Sequence, residues 1–394
     1  MELTKINRMY VLSFLFTLHI SLSAYINSTF LIKFINERYV GLLYTTGSII
    51  TLVLLARSAG ILKNLGNRKL VLWLLGINML ALVGLITSIN PYIIGISFIS
   101  FITTNVLVFF CIDIFIEHFG DPKTIGKTRG LYLTITSIAW MISPLITGFL
   151  VTKSGYVLIY IIALITTLLA TIVLLFSVKK FRDKTYIKTP FMKAYRYLKT
   201  NPHMLAIVLI NFILQFFFSW MVVYTPIYLN QHIGFSWDQI GIMFTFMLAP
   251  FVIFSLPVGL LIDKYHVKKR TLISTGLIII AISTFYITQI TTLSITVWAL
   301  VLFLTRVGAS IVETTSEIYF FTHVKEEEAY LLGIFRDMTP LSYVIAPVLG
   351  SLVFAFLPVK SLFLILSIFV LSGLYYVTKL KHAHGPTEIS NQNQ

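Results

Sequence analysis

Long apolar runs, interrupted by short polar stretches, repeat along the whole chain. They cover 9–31, 39–57, 70–90, 92–116, 130–151, 156–178, 204–229, 238–262, 271–290, 294–321, 330–356 and 358–379. A helix needs about 20 apolar residues to cross a hydrocarbon core of ~30 Å. The pattern therefore predicts an all-α membrane protein with twelve transmembrane helices, numbered here as spans 1 to 12, and short connections.

Composition narrows the class further. Of 394 residues, 57% are hydrophobic and 11% charged, and the mean hydropathy is +0.89. Soluble domains carry about 25% charged residues, so a water-soluble enzyme and a disordered chain are excluded. The single cysteine, Cys111, excludes a disulfide scaffold. A net charge of +15 would suit nucleic acid if it were clustered on one face. Its distribution points elsewhere. With both termini on one side of a bilayer, 25 Lys and Arg fall on that side and 4 on the other, and Arg306 lies inside a span. That asymmetry predicts cytoplasmic termini in a plasma (inner) membrane and no nucleic-acid partner. The first run is longer than a signal-peptide core and no A-x-A site follows it, so it is expected to persist as span 1.

The longest loop, 179–203, holds eight Lys or Arg and divides the spans six and six. The expected organisation is a six-helix bundle over 1–178, this cytoplasmic loop, a second bundle over 204–380 and a polar tail over 381–394. Within the loop, the stretch from Pro190 to Lys199 reads either as a short helix on the anionic leaflet or as a solvated basic linker. The halves also repeat. Tyr25 answers to Tyr224, Gly60 to Gly259, Asp113 and Glu117 to Glu313 and Glu317, and Pro144 to Pro347, each about 200 residues on.

The loops after spans 2 and 8 carry the most specific pattern. The first reads Gly60-Ile-Leu-Lys-Asn64-Leu-Gly-Asn-Arg68-Lys69, and the second begins Gly259-Leu-Leu-Ile-Asp263 and ends Lys268-Lys269-Arg270. Both resemble the G-x-L-x-D-x-x-G-R-[RK] motif of the major facilitator superfamily, and the resemblance extends from about Asn7 to Lys379. Asn64 stands where that family has an aspartate, and the second copy lacks the later glycine. The resemblance implies two pseudosymmetric six-helix bundles that alternate access to a central cavity, and a cytoplasmic lock. In that lock Asn64 would cap span 11 and Asp263 span 5, while Arg68 would pair with Asp113 or Glu117. Ordinary positive-inside loop charge explains the same residues without a lock.

Asp113 with Glu117, and Glu313 with Glu317, are i, i+4 pairs that share a helix face. No His or Cys stands at ligand spacing beside them, so no metal or cofactor is expected. Their depth suits gate ion pairs with Arg129, Arg336 or Arg68. Arg306 is the most pointed residue. A cation near the bilayer centre costs about 2.5–3.5 kcal/mol on insertion scales and marks a functional site by default. It continues a stripe of Ser310, Glu313 and Glu317, although helical side chains lean toward the N-terminus and so away from Glu313. Carbonyls or amides of neighbouring spans would satisfy it equally well. The resemblance places spans 1 and 7 on the cavity, which makes His19, Tyr25, Asn27, Gln215 and Tyr224 candidate solute or coupling residues; packing roles fit them too. The span 5 run Ala139-x-x-x-Ser143-Pro144-x-x-Thr147-Gly148 is similar to the antiporter signature of the same family, and reads equally as a packing motif.

The combined expectation is a monomeric secondary transporter that moves a small solute, by proton-coupled export, rather than an enzyme. A P-loop for ATP is absent from the sequence. Uptake by the same fold, or a membrane-embedded lipid-handling protein or enzyme on a helical bundle, are the alternatives.

Overall fold

The computed structural model describes residues 5–119, 125–178, 181, 191–263, 265, 267–324 and 330–381. Of the candidate residues, the side chains of Glu117, Arg129 and Asp263 lie outside the described set. The helices are α1 (Lys5–Ala24), α2 (Asn27–Ile32), α3 (Glu37–Ala56), α4 (Ser58–Leu65), α5 (Asn67–Thr87), α6 (Pro91–Phe119), α7 (Ile125–Ser154), α8 (Tyr156–Ser177), α9 (Phe191–Thr200), α10 (Pro202–Ile227), α11 (Trp237–Asp263), α12 (Lys269–Ile287), α13 (Ile295–His323), α14 (Tyr330–Phe356), α15 (Ser361–Leu371) and α16 (Gly373–Val377). No strand occurs among the described residues.

All twelve predicted spans fall on helices. Among the described residues, ten helices are long and apolar enough to cross a membrane. Span 1 is α1 and α2 with a break at Tyr25–Ile26, and span 12 is α15 and α16. The stretch after Pro190 forms the short amphipathic helix α9.

Local chemistry sets the helix ends. Asn36 Oδ1 accepts from the Arg38 amide at 3.0 Å to cap α3, and Asn90 Oδ1 accepts from the Tyr92 amide at 2.9 Å beside Pro91 at the start of α6. Ser236 and Gln239 form a capping-box contact at α11, where Gln239 Oε1 accepts from the Ser236 amide at 3.0 Å. Gly155, with φ of +74°, makes the one-residue turn from α7 to α8 that a side chain would strain. Pro226 cannot donate its helical hydrogen bond, and the chain widens just beyond it into a π-turn over Tyr228–Ile233.

The chain forms two compact units. The first contains residues 1–188 together with 219–246 and 343–359, which are segments of α10, α11 and α14. In it α1 packs on α7 and α8, α5 on α6 and α8, and α3 on α6, around a core that includes Phe16, Leu75, Val108, Cys111 and Phe115. The second unit contains 189–218, 247–342 and 360–394, with α12 packed on α13 and α15. Gly276 on α12 and Gly308 on α13 bring these two helices together: a Cβ on Gly276 would sit 2.7 Å from the Gly308 carbonyl oxygen. Small residues permit such close approach where lipid supplies no hydrophobic driving force.

Candidate functional site

In the second unit, α13 carries the polar stripe predicted from spacing. Arg306 is 1% exposed, and its guanidinium carbon lies 4.9 Å from the Phe217 ring centroid and 5.4 Å from that of Phe218, both on α10. The quadrupole of an aromatic face attracts a cation, most strongly where water is excluded. Aromatic faces are thus part of what the structure sets around this arginine. Glu313 lies within electrostatic reach of both Arg306 and Glu317, and Glu317 within reach of Arg336. The guanidinium therefore still influences Glu313, despite the lean of helical side chains. The Ser310 hydroxyl, on the same stripe, is buried with no partner among the described residues. One turn from Phe218 on α10, Gln215 Oε1 accepts from Thr339 at 3.0 Å and its amide nitrogen lies 3.5 Å from Asn211 Oδ1; Asn211 donates to the Phe335 carbonyl at 2.8 Å. Gln215 is therefore tied to α14.

In the first unit, Tyr25 packs against Phe244 at 4.8 Å and Trp140 at 6.3 Å, and Asn27 Oδ1 accepts from Tyr160 at 2.9 Å. Tyr224 donates to the Pro347 carbonyl at 2.6 Å. Tyr44 stacks on Tyr343 at 6.3 Å, and its hydroxyl is buried with no partner among the described residues. His19 is fully buried on α1.

The small-residue runs have packing partners. Ser143 Oγ lies 2.6 Å from Ser21 Oγ, and Thr147 donates to the Leu22 carbonyl at 2.7 Å, which joins α7 to α1. Gly148 faces Gly241 on α11, and Gly350 on α14 faces the Tyr224 ring, as does Gly41 its hydroxyl. In the same unit Glu37 Oε2 and His232 Nε2 lie 3.4 Å apart.

Among the lock residues, Asn64 is exposed, and Arg68 and Asp113 are partly buried. Nothing described lies within 4 Å of a Cβ built on Gly60 or Gly259. Phe217, Phe218, Tyr44 and Asn78 were not singled out by the sequence. Among 32 Phe and 20 Tyr, no spacing signal separates a residue facing a cation from one facing lipid.

Among the described residues, helices long and apolar enough to cross a membrane and a buried arginine on one of them fit a solute transporter. The chain matches the Major Facilitator Superfamily over residues 9–322 and 221–392, and it belongs to that family. No curated protein sequence matches it. Its fold is similar to that of a POT family peptide transporter in an auto-inhibited form, with a TM-score of 0.76, 11% identity, and coverage of 97% of this chain and 98% of that one. The nucleoside transporter NupG gives 0.75 at 12% identity, covering 97% and 100%. The human organic anion transporter MFSD10 (TETRAN) gives 0.67 at 13%, covering 94% and 98%.

Proposed function

We propose that this chain exports a small organic solute across a plasma membrane, driven by protons, with Arg306 and Glu313 as the solute and coupling residues of the second half. The observation that carries this reading is the buried Arg306 on α13, within electrostatic reach of Glu313 and faced by Phe217 and Phe218. A buried cation near titratable carboxylates supplies what coupling needs: an anionic solute group and a proton can compete for the same electrostatic environment. The termini and the 179–203 loop face the cytoplasm in this reading, and the protein works as a monomer. The end of the first unit near Gly148 and Gly241 is the gate on the far side. Asn64, Arg68, Asp113, Glu117, Arg129, Asp263, Glu317 and Arg336 form the cytoplasmic lock, with its Asp263 half stronger than its uncharged Asn64 half.

The similar folds supply the probes: uridine for nucleosides, fluorescein for organic anions and dialanine for peptides. In proteoliposomes, an imposed pH gradient is expected to accelerate flux of at least one probe. Glu313→Gln should bring the ratio of gradient-driven to gradient-free flux toward unity. Flux of every probe at the protein-free leak rate, or a probe flux indifferent to the gradient, would sink this reading.

A further inference from the structure

In the first unit, α3 meets α10 and α14 along Gly41, Tyr44 and Thr45. Thr45 Oγ1 donates to the Val344 carbonyl at 3.1 Å. A Cβ built on Gly41 would run into the Pro347 carbonyl oxygen and lie 2.7 Å from the Tyr224 hydroxyl, so α3 presses its bare backbone on both helices there. Tyr224 itself donates to that Pro347 carbonyl at 2.6 Å. The Thr45 and Tyr224 hydroxyls thus each have an acceptor. Tyr44, between them, differs. Its ring stacks on Tyr343 of α14 with centroids 6.3 Å apart and meets Phe98 of α6 edge-on at 4.9 Å. It is 4% exposed, and its hydroxyl is buried with no hydrogen-bond partner among the described residues.

The position of this hydroxyl is what gives it a consequence. A serine or threonine hydroxyl in a helix can turn back to its own backbone, as Thr46 does to the Leu42 carbonyl at 2.8 Å. A tyrosine hydroxyl stands at the far end of a rigid ring, and Tyr343 and Phe98 hold this ring from two sides. Rotation about its C–O bond moves the hydrogen alone. The defect therefore persists for as long as α3 and α14 stay together. A buried hydroxyl without a partner costs free energy that the same group in water does not. Separation of α3 from α14 lets water reach it and removes that cost.

We propose that Tyr44 is a built-in release for the gate of the first unit: its unpartnered hydroxyl raises the free energy of the closed state and so favours separation of α3 from α14. The inference rests on the gate assigned above to the end near Gly148 and Gly241. Successive spans cross in alternate directions, so Tyr44 near the start of α3 and Gly148 near the end of α7 act on one side. The Thr45 and Tyr224 hydrogen bonds and the glycine contact favour closure, and Tyr44 opposes them. A gate that opens in every cycle needs a closed state of limited depth, because the population it gives up is set by the difference between these terms. The hydroxyl is closed off from solvent in this state. That favours a role in release over a contact with solute.

The test needs no solute. The full chain carrying Cys111→Ser and Ile240→Cys is placed in nanodiscs, and the rate of maleimide labelling is read. Ile240 is 1% exposed, so its labelling reports opening. Tyr44→Phe keeps the ring and deletes the hydroxyl, and it should slow labelling roughly 5- to 150-fold. Tyr224→Phe makes the same deletion at a hydroxyl that has its acceptor, and it should speed labelling instead. Opposite signs from one chemical change are not produced by general loosening. Labelling that Tyr44→Phe leaves unchanged or speeds overturns the proposal. So does a Tyr44→Phe chain that fails to fold, since the proposal makes that substitution stabilising. Unchanged labelling with weakened probe flux would overturn it in favour of a solute contact. Failure of the underlying reading shows differently: a cysteine at 240 that never labels in the folded parent chain removes the gate itself, and the proposal with it.

Discussion

The backbones of Gly148 on α7 and Gly241 on α11 meet with no side chain between them. A Cβ added to Gly148 would lie 2.8 Å from the Gly241 Cα, and one added to Gly241 would lie 3.0 Å from the Gly148 Cα. The contact joins helices from the two sequence halves, and backbone on both sides leaves it nothing flexible to yield. Gly148→Leu should therefore prevent this end from closing. Overpacking costs about 1–3 kcal/mol, enough to shift a two-state population on the order of tenfold or more. Maleimide labelling of a cysteine introduced at Ile240 should rise accordingly, and unchanged labelling in a folded variant would count against a rigid contact.

Tyr224 tests the same end from α10. Its hydroxyl donates to the Pro347 carbonyl at 2.6 Å, and its ring fills the space beside Gly350. Tyr224→Phe removes one hydrogen bond, worth about 0.5–1.5 kcal/mol, and keeps the ring. Gly350→Val removes the space instead. The phenylalanine variant should lose a few degrees of melting temperature and the valine variant distinctly more; the reverse order would contradict this account of the packing.

Arg306 separates charge from shape. Arg306→Lys keeps the cation but replaces a planar group with a compact one that stacks poorly on an aromatic face. Arg306→Gln removes the charge. If the charge serves the solute, the lysine variant should retain part of the probe flux and the glutamine variant none, at equal folded yield. Equal flux from glutamine and wild type would assign Arg306 to structure alone.

What the sequence made legible follows from the strength of each physical signal. A run of about 20 apolar residues has few alternatives to a membrane helix, so all twelve spans could be read. The break at Tyr25–Ile26 and the π-turn after Pro226 could not, since neither interrupts the apolar pattern and a proline alone does not say whether a helix kinks, ends or widens. Arg306 stood out as the one basic residue near the middle of a predicted span. Its partners Phe217 and Phe218 did not, because phenylalanine facing a cation and phenylalanine facing lipid are the same letter. The small-residue run of span 5 admitted two readings, and the Ser21, Leu22 and Gly241 contacts show it packing α7 against α1 and α11.

Glu37 and His232 should contribute little. They are 3.4 Å apart, with side chains about 30% exposed on each side, and exposed pairs are worth about 0–1 kcal/mol and are screened by salt. Glu37→Gln should change thermal stability only slightly, and the change should vanish at high ionic strength. A large, salt-independent loss would mean that the pair acts in a drier setting than this one.

The most direct test of the gate assigned to this end uses Thr152 on α7 and Asp238 on α11, where Thr152 Oγ1 and Asp238 Oδ1 are 3.3 Å apart. With Cys111 replaced by serine, Thr152→Cys and Asp238→Cys should form a disulfide on oxidation that ties the two helices shut. If this end must open in every cycle, the oxidised protein should stop moving the probe that the wild type moves, and reduction should restore the flux. Full flux through quantitatively cross-linked protein would contradict the account.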